Sequence, residues 1–546
     1  MNVFTRMMSN NAHLATHRLP RSPSKLKTFT LYTTGTLATL YAIDTFAWDS
    51  TGKRTLRAIT TLSMIGIDYK LNFKENKDVL KLHERNADRL FNLLNENKGL
   101  YIKFGQNLAN QAAILPKPFQ DKFALLYDSA GTDPWTKVEK ILREDLGETY
   151  SDQFIEFDKE PIASASIAQV HRAQLKSGDK VAVKVQHYYI QKQIKADLWT
   201  YRAFVNLFSW AFEIPFGFMG HYISERLQEE VDFNIELQNG EKTRQLIHND
   251  NYLKDKVHVP IVYKDLSSKR VLIAEWCEGE PLFRYDDLKT KFNTKEIMKD
   301  YLTLFSKMIF QWGFVHSDPH PGNLLVRYTT NGKQQLVLLD HGLYVTFSQE
   351  LRHEYCSLWK ALFELNQKEL KRIAKHWGIG DKQSDMFGSF ALLKPYHNSK
   401  EKLAKMTRFE REEFMRDSFK NFFQNTEKFP LEMIFLGRTM RMLQTLNQKY
   451  HAPINRINLF TKEAIAGYYL NPPNVQMMST ITKTEQMLRY SIFLVIMTLS
   501  DVSFYISKIT QWAFGTKNME DLLQAQLNSE LREMGVENPD IDILSG

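Results

Sequence analysis

Cysteine is almost missing from this chain: two residues in 546, Cys277 and Cys356, far apart and in no metal-like spacing. That argues against a disulfide framework and a cysteine-based zinc site. Surplus charge is missing from most of the chain as well. Residues 1–27 carry Arg6, Arg18, Arg21, Lys25 and Lys27 with no acid, so +5 of the net +8 sits there and the remaining 519 residues share +3. A body so nearly balanced offers a polyanion little to hold, and no nucleic-acid partner is expected. Acids are absent before Asp44, while Arg, Lys, Ser, Thr and Asn abound. This is the composition of a mitochondrial transit peptide at 1–27, with a merely flexible basic tail as the bland alternative.

Long apolar runs are also scarce. Thr28 to Ile43 is free of charge for sixteen residues, about 24 Å as a helix, which is short for a membrane span unless the helix continues past Asp44. Its six threonines can bond back to helix carbonyls, so 28–48 is read as a single membrane helix, against an interfacial or soluble one. Basic residues flank both ends and leave orientation open. A stop-transfer helix behind a transit peptide would place the body in the intermembrane space. Tyr490 to Ser500 is apolar for only eleven residues before Asp501, a length that suits a buried or membrane-associated helix better than a second span. The acidic tail from Glu520 reads as solvated.

What is present is an ordinary globular balance, 43 % hydrophobic and 25 % charged, over a length suited to roughly three or four domain-sized units. From Thr55 to Asp145 apolar residues recur at helical spacing, with Pro116 and Pro118 ending one helix and Gly147 closing another that runs from Trp135 to Leu146. Within this region stands Lys103-Phe104-Gly105-Gln106. A glycine inside a helix costs about 1 kcal/mol relative to alanine, so it implies close approach of another surface. The bland reading is a packing glycine beside a solvated lysine and glutamine.

Strand patterns follow. Phe154–Phe157 is a short strand. The small residues Ala163, Ser164, Ala165 and Ser166 then lead into an alternating strand, Ile167 to Leu175. Ser177-Gly178-Asp179 supplies a turn, and Val181-Ala182-Val183-Lys184-Val185 is an apolar strand with one lysine inside it. Burying an ammonium without a partner is expensive, so Lys184 needs an anion. Candidate acids lie in EEVDFNIE, where Asp232 and Glu236 fall at i, i+4 on one helical face beside Glu230; a solvated acidic face is the alternative. A further apolar strand, Arg270 to Glu275, exits through Trp276-Cys277-Glu278-Gly279.

The centre of the chain is Phe314 to Val326, FVHSDPHPGNLLV, followed by LLDHG at Leu338 to Gly342. A phosphoryl-transfer enzyme of the protein-kinase type needs an Asp to orient the attacking hydroxyl, an Asn amide oxygen for Mg²⁺, and a second Asp at a glycine turn after an apolar strand. Asp318, Asn323 and Asp340 stand in that order. Asp-x4-Asn alone is common, and a Pro- and Gly-rich surface loop would also contain it; the apolar strand and Asp-His-Gly make the combination specific.

Taken together, KFGQ at 103, ASASIAQVH at 163, VAVKVQ at 181, EEVDFNIE at 229, HSDPHPGN at 316 and LLDHG at 338 resemble the UbiB family, the atypical or aarF-domain-containing kinases, and most closely its mitochondrial branch. The match covers roughly residues 90–375. The resemblance implies an α+β, bilobal protein-kinase-like fold with a helical N-terminal extension, a largely helical C-terminal region and an N-terminal membrane helix. The domains would be a transit peptide (1–27), a membrane helix (28–48), the extension (55–150), the N-lobe (151–280), the C-lobe (281–480) and an apolar helix with an acidic tail (481–546).

By the same resemblance Asp318 and Lys184 are catalytic. ATP is met by Ala163–Ser166, Lys184, Glu236 and the strand exit at Glu275 and Cys277, and Mg²⁺ by Asn323 and Asp340. The helix of Lys103 and Gln106 covers the cleft towards Glu230 and Asp232, where a protein kinase would receive its peptide. The implied activity is ATP hydrolysis or phosphoryl transfer to a lipid- or quinone-related small molecule at the mitochondrial inner membrane. A catalytically silent nucleotide-binding scaffold is the alternative. Two departures stand out: Asp-His-Gly replaces Asp-Phe-Gly, and 52 residues separate Lys184 from Glu236. The oligomeric state and the phosphoryl acceptor are not readable.

Overall fold

A computed structural model describes residues 50–74, 77–109, 116–128, 131–212, 217–379, 426–473 and 478–514, with single positions at 39, 44, 45 and 410. The expected transit segment 1–27, nearly all of the expected membrane helix 28–48 and the acidic tail from Glu520 lie outside the described residues. The chain divides into two units, Met1–Lys53 and Arg54–Gly546. In the first, the Asp44 carboxylate accepts the backbone N–H of Gly52 and Lys53 at 2.6 and 2.9 Å.

The described helices are α1 (Thr51–Asn72), α2 (Val79–Asn97), α3 (Leu100–Ala109), α4 (Lys117–Ala124), α5 (Trp135–Leu146), α6 (Ile190–Phe212), α7 (Gly217–Glu230), α8 (Phe233–His248), α9 (Tyr285–Lys291), α10 (Thr294–Lys307), α11 (Gln349–Phe363), α12 (Gln367–His376), α13 (Glu432–Lys449), α14 (Arg456–Leu470) and α15 (Thr480–Phe514). Side-chain caps set several of their starts: Asp78, Asn293 and Ser348 each accept an N–H three residues on, satisfying amides that lack helical partners. Gly147, at φ 91°, closes α5.

The smaller lobe is a five-stranded antiparallel sheet of β1 (Phe154–Phe157), β2 (Ala163–Ser164), β3 (Ala168–Leu175), β4 (Lys180–Gln186) and β6 (Val271–Glu275), in the order β1-β3-β4-β6 with β2 paired to β3. Val181, Val183 and Val185 are fully buried against Val271 and Ile273. The period-two alternation of a strand therefore turns Lys184 to the other face, where it lies opposite Leu272 of β6. The small-residue segment is not simply a loop. Ala163 and Ser164 pair with Val170 and Gln169, and the strand expected from Ile167 begins at Ala168, because Ala165 N–H bonds Ala168 O across a tight turn.

The larger lobe is built around α10. Its run from Ile297 to Ser306 is buried at every position but Lys299, as befits a helix at the centre of a core. A π-turn, Met308–Trp312, follows and ends at Gly313 with φ 60°. There a Cβ would sit 3.2 Å from Arg352 Cδ, so glycine suits both the backbone and the space. Next comes a two-stranded ribbon of β8 (Phe314–His316) and β11 (Tyr344–Thr346). A second sheet, in the order β5-β10-β9-β7, joins β5 (Val257–His258), β7 (Glu280–Pro281), β9 (Leu324–Tyr328) and β10 (Gln334–Leu338). Phe310, Tyr355, Trp359 and Phe460 weld α11 and α14 onto this core. The result is a bilobal α+β architecture of kinase type.

The carboxy-terminal apolar segment is not the short helix its eleven-residue run suggests. It belongs to the continuous 35-residue α15, of which Thr480–Ile506 is long and apolar enough to cross a membrane. The interruptions are neutralised locally. Thr484, Ser491 and Thr498 hydroxyls bond back to carbonyls one turn earlier, and Asp501 is paired with Lys462 of α14.

Candidate active site

Two ionic clusters form the centre of the cleft. In the first, Lys184 Nζ donates to both oxygens of Glu236, at 2.7 and 2.9 Å, and to Asp340 Oδ1 at 3.2 Å. Phe233 underlies the same ammonium, 5.1 Å from its ring centroid. Burial works against the Lys184 charge, but Glu236 and Asp340 outweigh it and hold the ammonium above its ordinary value. Burial and Asp340 together push Glu236 up, against the pull of Lys184. Asp340 is also opposed by burial, yet Lys184, His316 and Lys103 keep it below the usual carboxylate range. One lysine thus serves two acids, and Asp340 is the one held ionised.

In the second cluster, Lys103 of α3 reaches Glu230 Oε1 at 2.5 Å and Asp318 Oδ2 at 3.7 Å. Arg438 of α13 donates to Asp318 Oδ1 at 2.9 Å. Burial raises the Asp318 pKa, but the neighbouring cations, Arg438 and Lys103 foremost, outweigh it and hold the pKa below its ordinary value, so this carboxylate too stays ionised. Gly342 stands between the clusters: a Cβ there would lie 3.4 Å from Glu230 Cγ and 3.6 Å from Asp340 Oδ1.

The segments that carry these groups are rigid for identifiable reasons. Asp318 N–H donates to His316 Nδ1 at 3.2 Å, and Pro319 O accepts Tyr301 Oη–H from the core helix at 3.0 Å. His320 caps the 3₁₀ turn Pro321–Asn323 by accepting Gly322 N–H. His341, which replaces the usual phenylalanine, is pinned by an oriented chain. Thr243 Oγ1 donates to Tyr344 Oη at 3.0 Å, Tyr344 Oη lies 2.9 Å from His341 Nδ1, and His341 Nε2 lies 3.2 Å from Leu338 O. Since a carbonyl only accepts, Nε2 carries the proton and Nδ1 accepts from Tyr344. Burial lowers the His341 pKa to about 3, so the ring is neutral.

Of the remaining sequence-derived residues, the structure brings some to the cleft and seats others elsewhere. Asp232 does not join Glu236 on a helical face. It is the N-cap of α8, accepting Asn234 N–H at 3.1 Å, and its other oxygen faces Lys269 at 3.8 Å. A residue that caps a helix has extended backbone, so its side chain turns to the amides of the first turn and not along a face shared with residue i+4. Gln106 donates to Leu126 O at 3.4 Å. The close approach implied by Gly105 is within the extension, where a Cβ would be 2.2 Å from Leu126 Cδ1 and 2.9 Å from Leu94 Cδ1. Ser164 Oγ donates to Gly131 O, and Ala165 O lies 3.0 Å from His187 Nε2. Glu275 accepts Ile261 N–H and pairs with His258 Nε2 at 2.9 Å; Cys277 is buried, which raises its thiol to about 12.

Asn323 and Asp340 offer hard oxygen donors of the kind Mg²⁺ takes. The Asn323 amide has no hydrogen-bond partner among the described residues, and the Asp340 carboxylate is ionised and about a quarter exposed. The donor set fits such an ion. Sequence reasoning missed Arg438, His316 and Tyr344. Arg438 did leave a signal: it is one of two arginines, with Arg441, in the otherwise largely apolar segment Met433–Leu443, where an unpartnered guanidinium would be costly.

Residues 125–374 match the family described as ABC1 atypical kinase-like domain. An ABC1 family protein of Schizosaccharomyces pombe is 38 % identical over 436 residues, 77 % of this chain and 81 % of that protein. AarF domain-containing protein kinase 1 of Gallus gallus is 36 % identical over 336 residues, 60 % of this chain and 64 % of that protein. Among solved structures, an erythromycin complex of a Mycobacterium tuberculosis protein aligns with 71 % of this chain and 98 % of its own at 22 % identity and a TM-score of 0.43, too distant to carry an argument. With a kinase-type cleft holding these motifs, and more than a third of its residues shared over four-fifths of the fission-yeast protein, the chain belongs to the ABC1, or UbiB, family of atypical kinases.

Proposed function

We propose that this protein is an ATP-hydrolysing or phosphoryl-transferring enzyme that acts on a small lipid- or quinone-related molecule at the mitochondrial inner membrane, supporting coenzyme Q and lipid homeostasis there. The observation that carries the enzymatic reading is the convergence of Lys184, Glu236 and Asp340 within 3.2 Å of one lysine nitrogen, beside a buried and ionised Asp318. A nucleotide-holding scaffold has no chemical need for both acids.

In this reading Lys184, oriented by Glu236, binds the α- and β-phosphates of ATP. Asn323 and Asp340 would hold Mg²⁺, which when bound neutralises phosphate charge. Asp318 orients the attacking hydroxyl or water. Lys103 and the α3 helix close the side of the cleft next to Asp318, which favours a small acceptor over a polypeptide. The acid-free amino-terminal segment and the resemblance to the family's mitochondrial branch support the location, with the body facing the intermembrane space.

The test is ATP turnover by the full chain in lipid vesicles with Mg²⁺. Lys184→Met and Asp340→Asn should abolish it, and Asp318→Asn should lower it by about 10²-fold or more. ATP binding without turnover, indifferent to Asp318→Asn, would instead establish the scaffold. Protease protection in intact and swollen mitochondria reads the compartment: protection that persists after rupture of the outer membrane would reject the intermembrane space.

A further inference from the structure

The helix α15 has two faces that want different surroundings. On one, Met497 and Phe504 are buried, and Phe493 packs against Phe363 and Tyr469. Asn458 of α14 donates to Met497 O at 2.8 Å and to Asp501, which is also paired with Lys462. Lys295 lies over the Tyr505 ring at 4.3 Å. These contacts run from Phe493 to Tyr505, about 18 Å of helix, so the middle of α15 is seated on the folded body.

The opposite face is apolar and open. Leu488, Ile492, Val495, Leu499, Val502 and Ile506 succeed one another at alternating steps of four and three, which is one stripe of a helix, and each is 51–65 % exposed. Every exposed residue from Ser491 to Ile506 is uncharged. Of the hydroxyls bordering the stripe, those of Ser491 and Thr498 are spent on the carbonyls of Met487 and Leu494. Spacing of this kind also suits a helix partner. A helix pair, however, is bordered along its length by charged residues that fix its orientation; here the charged pair Glu485–Arg489 stands at the first turn of the stripe, and from Ser491 on the borders are Ser491, Ile496, Thr498 and Ser503. A border uncharged from Ser491 to Ile506, with the Ser491 and Thr498 hydroxyls satisfied within the helix, suits lipid. Crossing the bilayer is the other option, and it fails on the seated face: the centre of a span would carry Asn458, Lys462 and Asp501, with the body they belong to, into the hydrocarbon.

We infer that α15 lies flat on a lipid surface, immersed along its open stripe while its other face stays on α14, and that it does not cross the membrane. Such a helix holds the body against the lipid face and thereby places the cleft within reach of molecules dissolved in it. The inference stands on the geometry of α15 and does not depend on nucleotide chemistry.

The test uses the full chain in phosphatidylcholine vesicles. Cys277 and Cys356 are buried, so the single substitutions L488C, V495C, V502C and I506C each add one labelling site for an environment-sensitive fluorophore. Nitroxide lipids carry the quencher near the headgroup or near the bilayer centre. A flat helix gives quenching at all four sites, stronger with the shallow lipid and equal among sites to within about twofold. A spanning helix gives deep quenching at V495C that falls away towards L488C and I506C, which would overturn the proposal. A second copy of the chain on the stripe gives no lipid quenching, with fluorescence that changes with protein concentration. That result overturns it too, as does a probe that stays in water at every site.

Discussion

Arg438 Nη2 donates to Asp318 Oδ1 at 2.9 Å across 120 residues of sequence, and both side chains are almost wholly buried. The candidate catalytic carboxylate is therefore held by a cation from the C-terminal helices on one side and by Lys103 from the N-terminal extension on the other. Replacing Arg438 by Met should destabilise the protein by about 3–5 kcal/mol, because one partner of a buried ion pair is removed and the other is left charged. Adding Asp318→Asn should recover roughly half of that loss. Denaturant titration of the two single variants and the double variant measures the coupling; additive losses would mean that the pair does not hold this region.

Lys103 and Glu230 are unequal partners. Glu230 Oε2 is buried with no hydrogen bond and Oε1 has Lys103, whereas Lys103 also faces Asp318. Lys103→Met should therefore be more destabilising than Glu230→Gln, by about 1–2 kcal/mol. Equal losses in thermal unfolding at pH 7 would contradict this.

His341 makes stability depend on pH in a window shared with His171, His316, His320 and His353, which burial also lowers and which are common to the wild type and the His341→Phe variant. Its pKa is lowered from 6.5 to about 3, with burial as the leading cause. Above pH 6.5 the ring is neutral folded and unfolded. Below it, the unfolded chain takes up a proton that the folded chain refuses, so stability falls as the pH drops towards 3. Relative to the wild type, His341→Phe should gain stability on going from pH 6.5 to 4.5, at up to about 1.4 kcal/mol per pH unit. Asp340, held below 3.8, is silent there. Glu236, shifted the other way, is common to both proteins and drops out of the difference. A wild-type-minus-variant difference that does not change across this range would be inconsistent with a buried neutral histidine.

Gly105 is a packing position. Alanine would gain about 1 kcal/mol in helix propensity, yet its Cβ would fall 2.2 Å from Leu126 Cδ1, and overpacking of that kind costs about 1–3 kcal/mol. Gly105→Ala should lower the melting temperature, and Leu126→Ala in the same chain should relieve part of the strain. A stabilising single substitution would show that Leu126 moves aside without penalty.

The lysine strand and the Asp-His-Gly turn were legible because each is written locally: alternating burial puts Lys184 on one face, and a buried strand ends at Asp340. Arg438 was not, because nothing near Asp318 in sequence announces a partner 120 residues away. Asp232 misled for a different reason. Four-residue spacing implies a shared face, but the helix starts one residue later and Asp232 serves its first turn. In α15, counting uninterrupted apolar residues underestimates the helix, since the charged residues bounding the run, Arg489 and Asp501, are paired with Glu485 and Lys462 and do not break it. The bilobal outline depended on patterns that recur along the strands and helices, and these survived such local errors.

The two cations on Asp318 lie 335 positions apart, one before and one after the loop they clasp. A chain emerging from the ribosome presents Lys103 first, then the aspartate, and Arg438 only after the whole kinase-like cleft has been synthesised. Until that last helix docks, the carboxylate has a single positive neighbour, so completion of the site is a late event in the biogenesis of the protein and reports that its far end has arrived.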